Sequence, residues 1–258
     1  MKYYDVHTHL NCDPLTKDVE RIANTCLSKG ILINDIGVDI PSSLVAVQHA
    51  KQFENVFACV GVHPSDTNKT PLKICIKELE GMLKDKDRNK IIAIGETGLD
   101  FFHKPYNEEE QTSFFIAHIA LARKYNLPLM VHVRDAFEKC YEILHKHAQG
   151  LKIIIHCYNG SIAITHKLNN LNCFFSIPGI ITFKNAHELK EVIKIIPLNK
   201  LLSETDAPWL TPEPHRGKTN TPEYIDLIVN KIGELLKLSE QDVQETLLNN
   251  AIQLFQNK

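Results

Sequence analysis

Histidine and carboxylate side chains follow short apolar runs at several points in this 258-residue sequence. His7 and His9 stand two residues apart, a spacing that places both side chains on one side of an extended strand, together with Asp5. Two imidazoles held in this way can bind one metal ion. Four further candidate ligands end later apolar runs, namely Glu96, His132, His156 and Asp206.

Apart from Asp5, these side chains offer four imidazoles and two carboxylates. Such nitrogen and oxygen donors suit Zn²⁺ or Mn²⁺ and, less well, Mg²⁺. One carboxylate can bridge two ions, and a pair of ions can activate a water molecule and neutralise a phosphoryl oxygen. The ligand set therefore predicts metal-assisted hydrolysis.

Two further polar residues are predicted to contact the substrate. His63 follows a different apolar run from the candidate ligands, and Arg134 would project beside His132. The chain carries 29 Lys and Arg against 31 Asp and Glu, a net charge of −2, so a polyanion would have to be held by a local patch or by metal. Basic residues predicted to form that patch with Arg134 are Lys104, Lys184, Arg216 and Lys218.

Other chemistry-bearing residues are assigned to packing or solvent. Cys157 adjoins His156 but would point to the opposite side of an extended strand, so we interpret it as a packing residue. The seven cysteines are scattered and never form a C-x-x-C pair, which argues against a disulfide framework or zinc ribbon and favours a reducing compartment. Histidines predicted to lie in helices, packed or solvated, are His49, His118, His145, His147, His166 and His187.

Eight apolar runs of strand length alternate with amphipathic stretches, a pattern typical of a parallel sheet with crossover helices. The predicted strands are Tyr3 to Val6, Ile31 to Ile36, Val56 to Val60, Ile91 to Ile94, Leu129 to Val131, Lys152 to Ile155, Cys173 to Ile177 and Lys200 to Leu202. Eight strands can close a (β/α)₈ barrel, with residues 1–258 as a single domain. In such a barrel the C-terminal strand ends form the active-site face, where the candidate residues would converge.

The intervening stretches contain recognisable helix signals. Asn107 is a candidate N-cap for a helix that Pro128 stops, and Ser239 with Asp242 resembles the cap of the last helix. Four prolines in the segment from Ala207 to Pro222, counting Pro222 itself, predict a long loop after strand eight. No apolar run is long enough to span a membrane, so we expect a cytoplasmic protein with no membrane association and no obligate protein partner.

Six motifs in order over nearly the whole chain resemble those of the TatD family of metal-dependent deoxyribonucleases, a branch of the amidohydrolase-like TIM barrels. The motifs are Tyr4-Asp5-Val6-His7-Thr8-His9-Leu10, Gly61-Val62-His63-Pro64, Gly95-Glu96-Thr97-Gly98-Leu99-Asp100, Pro128 to Arg134, His156-Cys157-Tyr158-Asn159-Gly160 and Glu204-Thr205-Asp206-Ala207-Pro208-Trp209-Leu210.

The resemblance implies two divalent ions. One would be held by His7, His9, Glu96 and Asp206, and the second by Glu96, His132 and His156, with Glu96 bridging. His63 is similar to the family's substrate-phosphate histidine. One departure concerns the loop after strand eight, where the family usually has Arg-Asn-Glu-Pro and this chain has Thr219-Asn220-Thr221-Pro222. The change bears on substrate grip and loop anchoring rather than on the metal ligands.

Our leading hypothesis is phosphodiester hydrolysis on DNA, exonucleolytic from 3′ to 5′ on single-stranded ends. Glu96 and Asp206 are the predicted catalytic residues, with Asp206 accepting or orienting the proton of the attacking water, and His63 and Arg134 gripping phosphate oxygens. The sequence does not distinguish between Mg²⁺, Mn²⁺ and Zn²⁺ as the bound metal.

Two alternatives stand beside this hypothesis. The first is hydrolysis of a small C–N or ester substrate, as by a lactonase, dihydroorotase or deaminase. In such enzymes a modified lysine on strand four often bridges the metals, and Glu96 at this place favours the nuclease. The second is a non-catalytic barrel that binds nucleic acid or protein, since fold alone does not establish activity.

Overall fold

The computed structural model describes residues 1–255, in which eight parallel strands form one sheet in sequence order. Each strand pairs with the next, beginning with Tyr3 opposite Ile31 and Ile33 opposite Val56. The strands are β1 (Tyr3–Thr8), β2 (Ile31–Ile36), β3 (Val56–Val60), β4 (Ile91–Asp100), β5 (Leu129–Arg134), β6 (Ile153–Ile155), β7 (Cys173–Ile177) and β8 (Leu201–Ser203). The predicted (β/α)₈ architecture is confirmed.

The chain beyond β8 meets β1 and completes the ring. The backbone N–H of Asp206 donates to the His7 carbonyl at 2.9 Å, and the N–H of His9 donates to the Ala207 carbonyl at 2.8 Å. Within the strands, Ser203 Oγ donates to the Tyr4 carbonyl at 3.3 Å. These bonds fix Asp206 beside the two histidines at the C-terminal end of β1.

Helices follow the strands and pack outside the sheet. They are α1 (Val19–Ser28), α2 (Ile40–Gln52), α3 (Leu72–Leu83), α4 (Glu108–Tyr125), α5 (Phe137–His147), α6 (Ile162–Asn169), α7 (His187–Val192), α8 (Ile225–Leu236) and α9 (Glu240–Phe255). Both predicted caps are confirmed: Asn107 accepts from the Glu110 N–H, and Ser239 Oγ accepts from the Asp242 N–H. None of the helices within residues 1–255 is both long and apolar enough to cross a bilayer.

The predicted end of β4 at Ile94 is wrong, because the strand continues through two glycines to Asp100. Gly95 and Gly98 adopt φ values of 141° and 138°, and a Cβ at Gly98 would lie 2.1 Å from the His132 carbonyl oxygen. Glycine here permits close pairing of β4 with β5, where Gly98 stands opposite His132. Glu96 therefore lies inside β4, which pairs with β3 on one side and with β5 on the other.

The long loop after β8 is anchored by hydrogen bonds. Asn220 donates from Nδ2 to the carbonyls of Thr205 and Trp209, at 2.8 and 2.5 Å. Thr221 accepts from the Glu223 N–H and so caps the short 3₁₀ helix Pro222–Tyr224. The loop is therefore anchored to the barrel by Asn220, which this chain shares with the family pattern, while Thr221, in place of the family's Glu, caps the short helix.

Asp5 is fully buried in the barrel and accepts hydrogen bonds from the Thr205 N–H at 2.9 Å and from Thr205 Oγ1 at 2.5 Å. Burial raises the pKa of its carboxyl from 3.8 to about 8, although the Thr205 bonds oppose the shift.

The unfolded chain therefore loses the Asp5 proton near pH 3.8, whereas the folded chain retains it to about pH 8. Between these values rising pH favours unfolding, because the unfolded state binds fewer protons. We expect Asp5→Asn, which cannot ionise, to gain stability relative to wild type by up to ~1.4 kcal/mol per pH unit in this window. Thermal midpoints of both proteins across this pH range measure the gain, and parallel pH profiles would contradict the shift.

Candidate metal centre

A cavity of about 670 Å³ opens at the C-terminal ends of the strands. Seven of the eight candidate ligands and substrate contacts line it, namely His9, His63, Glu96, His132, Arg134, His156 and Asp206. His7 is fully buried and reaches the lining groups through Nε2. The structure thus brings together all eight residues that the sequence singled out for the site.

Glu96 lies between two groups of donors, and its oxygen Oε2 faces the first. His7 Nε2 is 3.4 Å and His9 Nε2 is 3.7 Å from this oxygen. The same two nitrogens lie 3.7 and 3.5 Å from Oδ1 of Asp206. We call His7, His9, Asp206 and Glu96 Oε2 the first donor cluster.

The other oxygen of Glu96, Oε1, faces the second donor cluster, formed with His132 and His156. His156 Nε2 is 2.8 Å and His132 Nδ1 is 3.0 Å from Oε1. The two nitrogens are 3.2 Å apart. One carboxylate therefore serves both clusters with one oxygen each.

The donor geometry fits bound metal ions. His7 Nε2 lies 3.1 Å from His9 Nε2, and the His9 Nδ1–H donates to the Ile36 carbonyl at 3.0 Å. In neutral His9 the Nε2 lone pair therefore points into the first cluster. Tetrahedral Zn–N bonds of about 2.0–2.1 Å would separate two ligand nitrogens by roughly 3.3 Å. Both clusters have this spacing, so their side chains are able to bind metal.

The histidines around the two carboxylates keep both ionised. Burial alone would raise the pKa of Glu96, but His156 and its neighbours outweigh it and hold this pKa well below its ordinary value. Asp206 shows the same balance: burial is the largest single effect and raises its pKa, but His9, His7 and His156 together outweigh it and hold this pKa below its ordinary value. Two negative charges at the base of the cavity suit divalent cations.

His63 is positioned as a neutral hydrogen-bond donor. Its Nδ1 accepts from the Ser65 N–H at 3.1 Å, so the ring proton is on Nε2, which lies 3.6 Å from Glu96 Oε1. Burial, with a further contribution from His132, lowers its pKa to about 3. The Nε2–H group therefore faces the second donor cluster without adding a positive charge.

Arg134 lines the cavity at the end of β5, with its guanidinium 3.8 Å from the Phe102 ring centroid. Among the five basic residues predicted around the mouth, Arg134 is the one that lines this cavity within the described chain. Arg216 instead stacks over Phe183 at 3.7 Å. The predicted basic patch therefore contributes one residue, Arg134, to the lining of the cavity instead of five.

Two buried carboxylates that sequence reasoning left without a role support the second cluster. Asp100 Oδ2 lies 3.0 Å from His132 Nε2, so this ring can donate to Asp100 and turn Nδ1 toward Glu96. Glu204 Oε1 lies 3.6 Å from His156 Nδ1 and accepts from the Cys157 N–H at 2.6 Å. Strand alternation offers a signal for Asp100, which lies four residues after Glu96 in β4, but not for Glu204, which follows the end of β8 at Ser203.

The prediction that Cys157 points away from the cavity is wrong. β6 ends at Ile155, and Cys157 has a φ of 47°, so strand alternation does not apply and the residue lines the cavity. Burial raises the pKa of its thiol well above the ordinary value, which leaves it protonated and poorly nucleophilic. All seven cysteines are free.

Comparison with known proteins gives a consistent result. Residues 4–256 match the protein family described as TatD related DNase. An uncharacterized metal-dependent hydrolase of Mycoplasma genitalium is 42% identical over 262 residues, covering 99% of both chains. The uncharacterized metal-dependent hydrolase YabD of Bacillus subtilis is 34% identical over 254 residues and 98% of both chains.

A solved structure shows the same likeness in three dimensions. The crystal structure of YjjV, a TatD homolog from Escherichia coli K12, superposes with a TM-score of 0.92 at 26% sequence identity. The match covers 99% of this chain and 98% of that one.

Proposed function

This chain belongs to the TatD-related DNase family and is a metal-dependent hydrolase, and we propose that it is a 3′ to 5′ exodeoxyribonuclease acting on single-stranded DNA ends. The observation that carries the proposal is the shared carboxylate Glu96, whose two oxygens face two donor clusters at one cavity. Two ions held side by side suit the in-line displacement of a phosphodiester.

The first donor cluster would hold one divalent ion and the second cluster another, with Glu96 shared between them. When bound, such ions polarise a phosphoryl oxygen and lower the pKa of a water molecule. Zn²⁺ and Mn²⁺ suit this set of nitrogen and oxygen donors, and Mg²⁺ suits it less well.

Asp206 and His63 would act on the water and on the phosphate. Asp206 is ionised and lines the cavity, so its carboxylate can orient an attacking water and accept its proton. The neutral His63 can donate from Nε2 to a phosphate oxygen, and Arg134 can donate from its guanidinium at the cavity rim.

Asp100 would hold the ring orientation of His132. We expect Asp100→Asn to lower metal affinity or activity about 10- to 100-fold, the usual effect of removing the carboxylate that supports a metal-binding histidine. Asp66→Asn is the matched control, because Asp66 lines the same cavity but is paired with Lys69. Titration of both variants with Mn²⁺ measures the effect, and equal affinities in the two would contradict this role.

A substrate panel tests the proposed activity. Purified protein is incubated with single-stranded DNA, single-stranded RNA, a lactone and a cyclic amide, each with Mg²⁺, Mn²⁺ or Zn²⁺ and with an EDTA control. We expect metal-dependent cleavage of DNA that EDTA abolishes. Turnover of the lactone or amide alone would instead favour an amidohydrolase activity, and metal binding without turnover would favour a non-catalytic role.

A further inference from the structure

The chain contains a single tryptophan, and it lies at the mouth of the metal centre. Trp209 follows Asp206 by three residues and lines the cavity, yet 49% of its surface is exposed. An indole is among the most costly side chains to leave in water. Because Trp209 lines the cavity, its exposed ring offers an aromatic face to a ligand that enters there.

The backbone at Trp209 is held firmly in place. The Trp209 N–H donates to the Asp206 carbonyl at 3.0 Å, and the Trp209 carbonyl accepts from Asn220 Nδ2 at 2.5 Å. The Asn220 N–H in turn donates to the Pro208 carbonyl at 3.1 Å. Because the backbone is already fixed, a ligand that stacks on the indole has to order only the torsions of this one side chain.

The indole is close to the reacting groups. Its ring centroid lies 5.1 Å from that of His9 at an interplanar angle of 68°, and His9 Nε2 lies 3.5 Å from Asp206. A nucleotide whose phosphate reached the first donor cluster could therefore lay its base on Trp209.

The opposite side of the mouth provides positive charge. Arg134 ends β5 and Phe102 follows β4, and both strands lie across the barrel from β8, which Trp209 follows. The guanidinium stacked on Phe102 faces the same cavity and complements a phosphate backbone. The mouth thus combines an aromatic face on one side with an anion contact on the other, the pairing found in grooves for single strands.

Resting on the proposed phosphodiester hydrolysis, we propose that Trp209 is a stacking platform for the unpaired nucleobase next to the scissile phosphate. Bases inside a duplex stack on one another and cannot offer a face to the indole, so the platform selects single-stranded or frayed ends. Trp209 acts in binding and specificity, not in the bond-breaking step.

The test compares wild type, Trp209→Leu and Leu198→Ala on two single strands of equal length and charge, one of which lacks bases at its terminal nucleotides. Leucine keeps apolar volume without a π face, and Leu198 is an exposed residue before β8, away from the mouth. We expect Trp209→Leu to raise KM for the base-bearing strand by about 5- to 150-fold with kcat retained, as for loss of one stacked base. KM for the abasic strand is expected to stay unchanged.

Tryptophan fluorescence gives an independent readout, since all of it comes from Trp209. The base-bearing strand, the abasic strand and a blunt duplex are each mixed rapidly with Mg²⁺-loaded protein. We expect the base-bearing strand to quench the tryptophan emission more than the other two do. Equal quenching by the three, or an unchanged KM in Trp209→Leu, overturns the platform while leaving the nuclease proposal standing. If wild type cuts neither strand, the nuclease proposal fails, and the quenching still decides whether bases stack on Trp209.

Discussion

Replacing Glu96 by alanine is expected to lower metal-dependent hydrolysis by about 10³-fold or more. A catalytic metal contributes several kcal/mol of transition-state stabilisation, and each 1.36 kcal/mol corresponds to a factor of ten in rate. Glu96 is the one side chain shared by both donor clusters, at 3.4 Å from His7 and 2.8 Å from His156. Its loss should therefore weaken both ion sites together.

Glu96→Gln provides the matched variant, because it keeps the volume of the side chain. An amide presents its oxygen to one cluster and an NH₂ group to the other, so it can serve as a ligand on one side only. We expect metal content, measured by mass spectrometry after gel filtration, to fall from two ions per chain to one in Glu96→Gln and further in Glu96→Ala. An unchanged metal content with full activity would contradict a bridging role.

The second large effect is expected from Asp206→Asn, with a loss of about 10²- to 10⁴-fold in kcat, the usual range for a general base. Asparagine retains an oxygen that can bind metal but cannot accept a proton. The change should therefore lower kcat much more than it alters KM or metal content.

The pH profile adds a check on Asp206. Its pKa is held below the ordinary value of 3.8, so the carboxylate is ionised at neutral pH and is protonated only as pH falls through the lowered value. Asp206 itself should thus cause no loss of wild-type activity between neutral pH and pH 3.8. Steady-state rates for wild type, Asp206→Asn and Asp66→Asn test the role, and equal kcat values in all three would exclude it.

The strand order and the position of the site can be predicted from local sequence patterns, namely apolar runs and the spacing of polar residues. Apolar runs such as Ile31–Ile36 and Val56–Val60 have the bounds that were predicted. The spacing of His7 and His9 also predicts that their rings meet, and their Nε2 atoms are 3.1 Å apart. Local alternation governs each of these features, so the chain alone is sufficient to predict them.

Features set by neighbouring chain segments are harder to predict. Gly95 and Gly98 favour a strand end by residue type. In the fold, however, the β5 backbone lies so close that only glycine allows β4 to continue past these positions. The left-handed backbone at Cys157 likewise turns its side chain into the cavity against the predicted alternation. Backbone conformations of this kind depend on which segments pack together in the fold, and the periodicity of the sequence does not predict that packing.

The roles of the supporting carboxylates Asp100 and Glu204 in the site are likewise hard to predict from the sequence. Each belongs to a motif that the sequence displays, but its contact with His132 or His156 spans 32 or 48 positions along the chain. Composition and spacing identify the groups that can bind metal. The fold decides which further groups orient them.

Degradation of end-labelled single-stranded DNA by wild type and His132→Ala, with Mg²⁺, Mn²⁺ or Zn²⁺ and an EDTA control, tests the metal-dependent nuclease most directly. Wild type is expected to shorten the strand from its 3′ end with at least one of these ions, to stop in EDTA, and to lose this activity in His132→Ala. Undiminished cleavage by His132→Ala, or no cleavage by wild type with any of the ions, would contradict DNA hydrolysis at this centre.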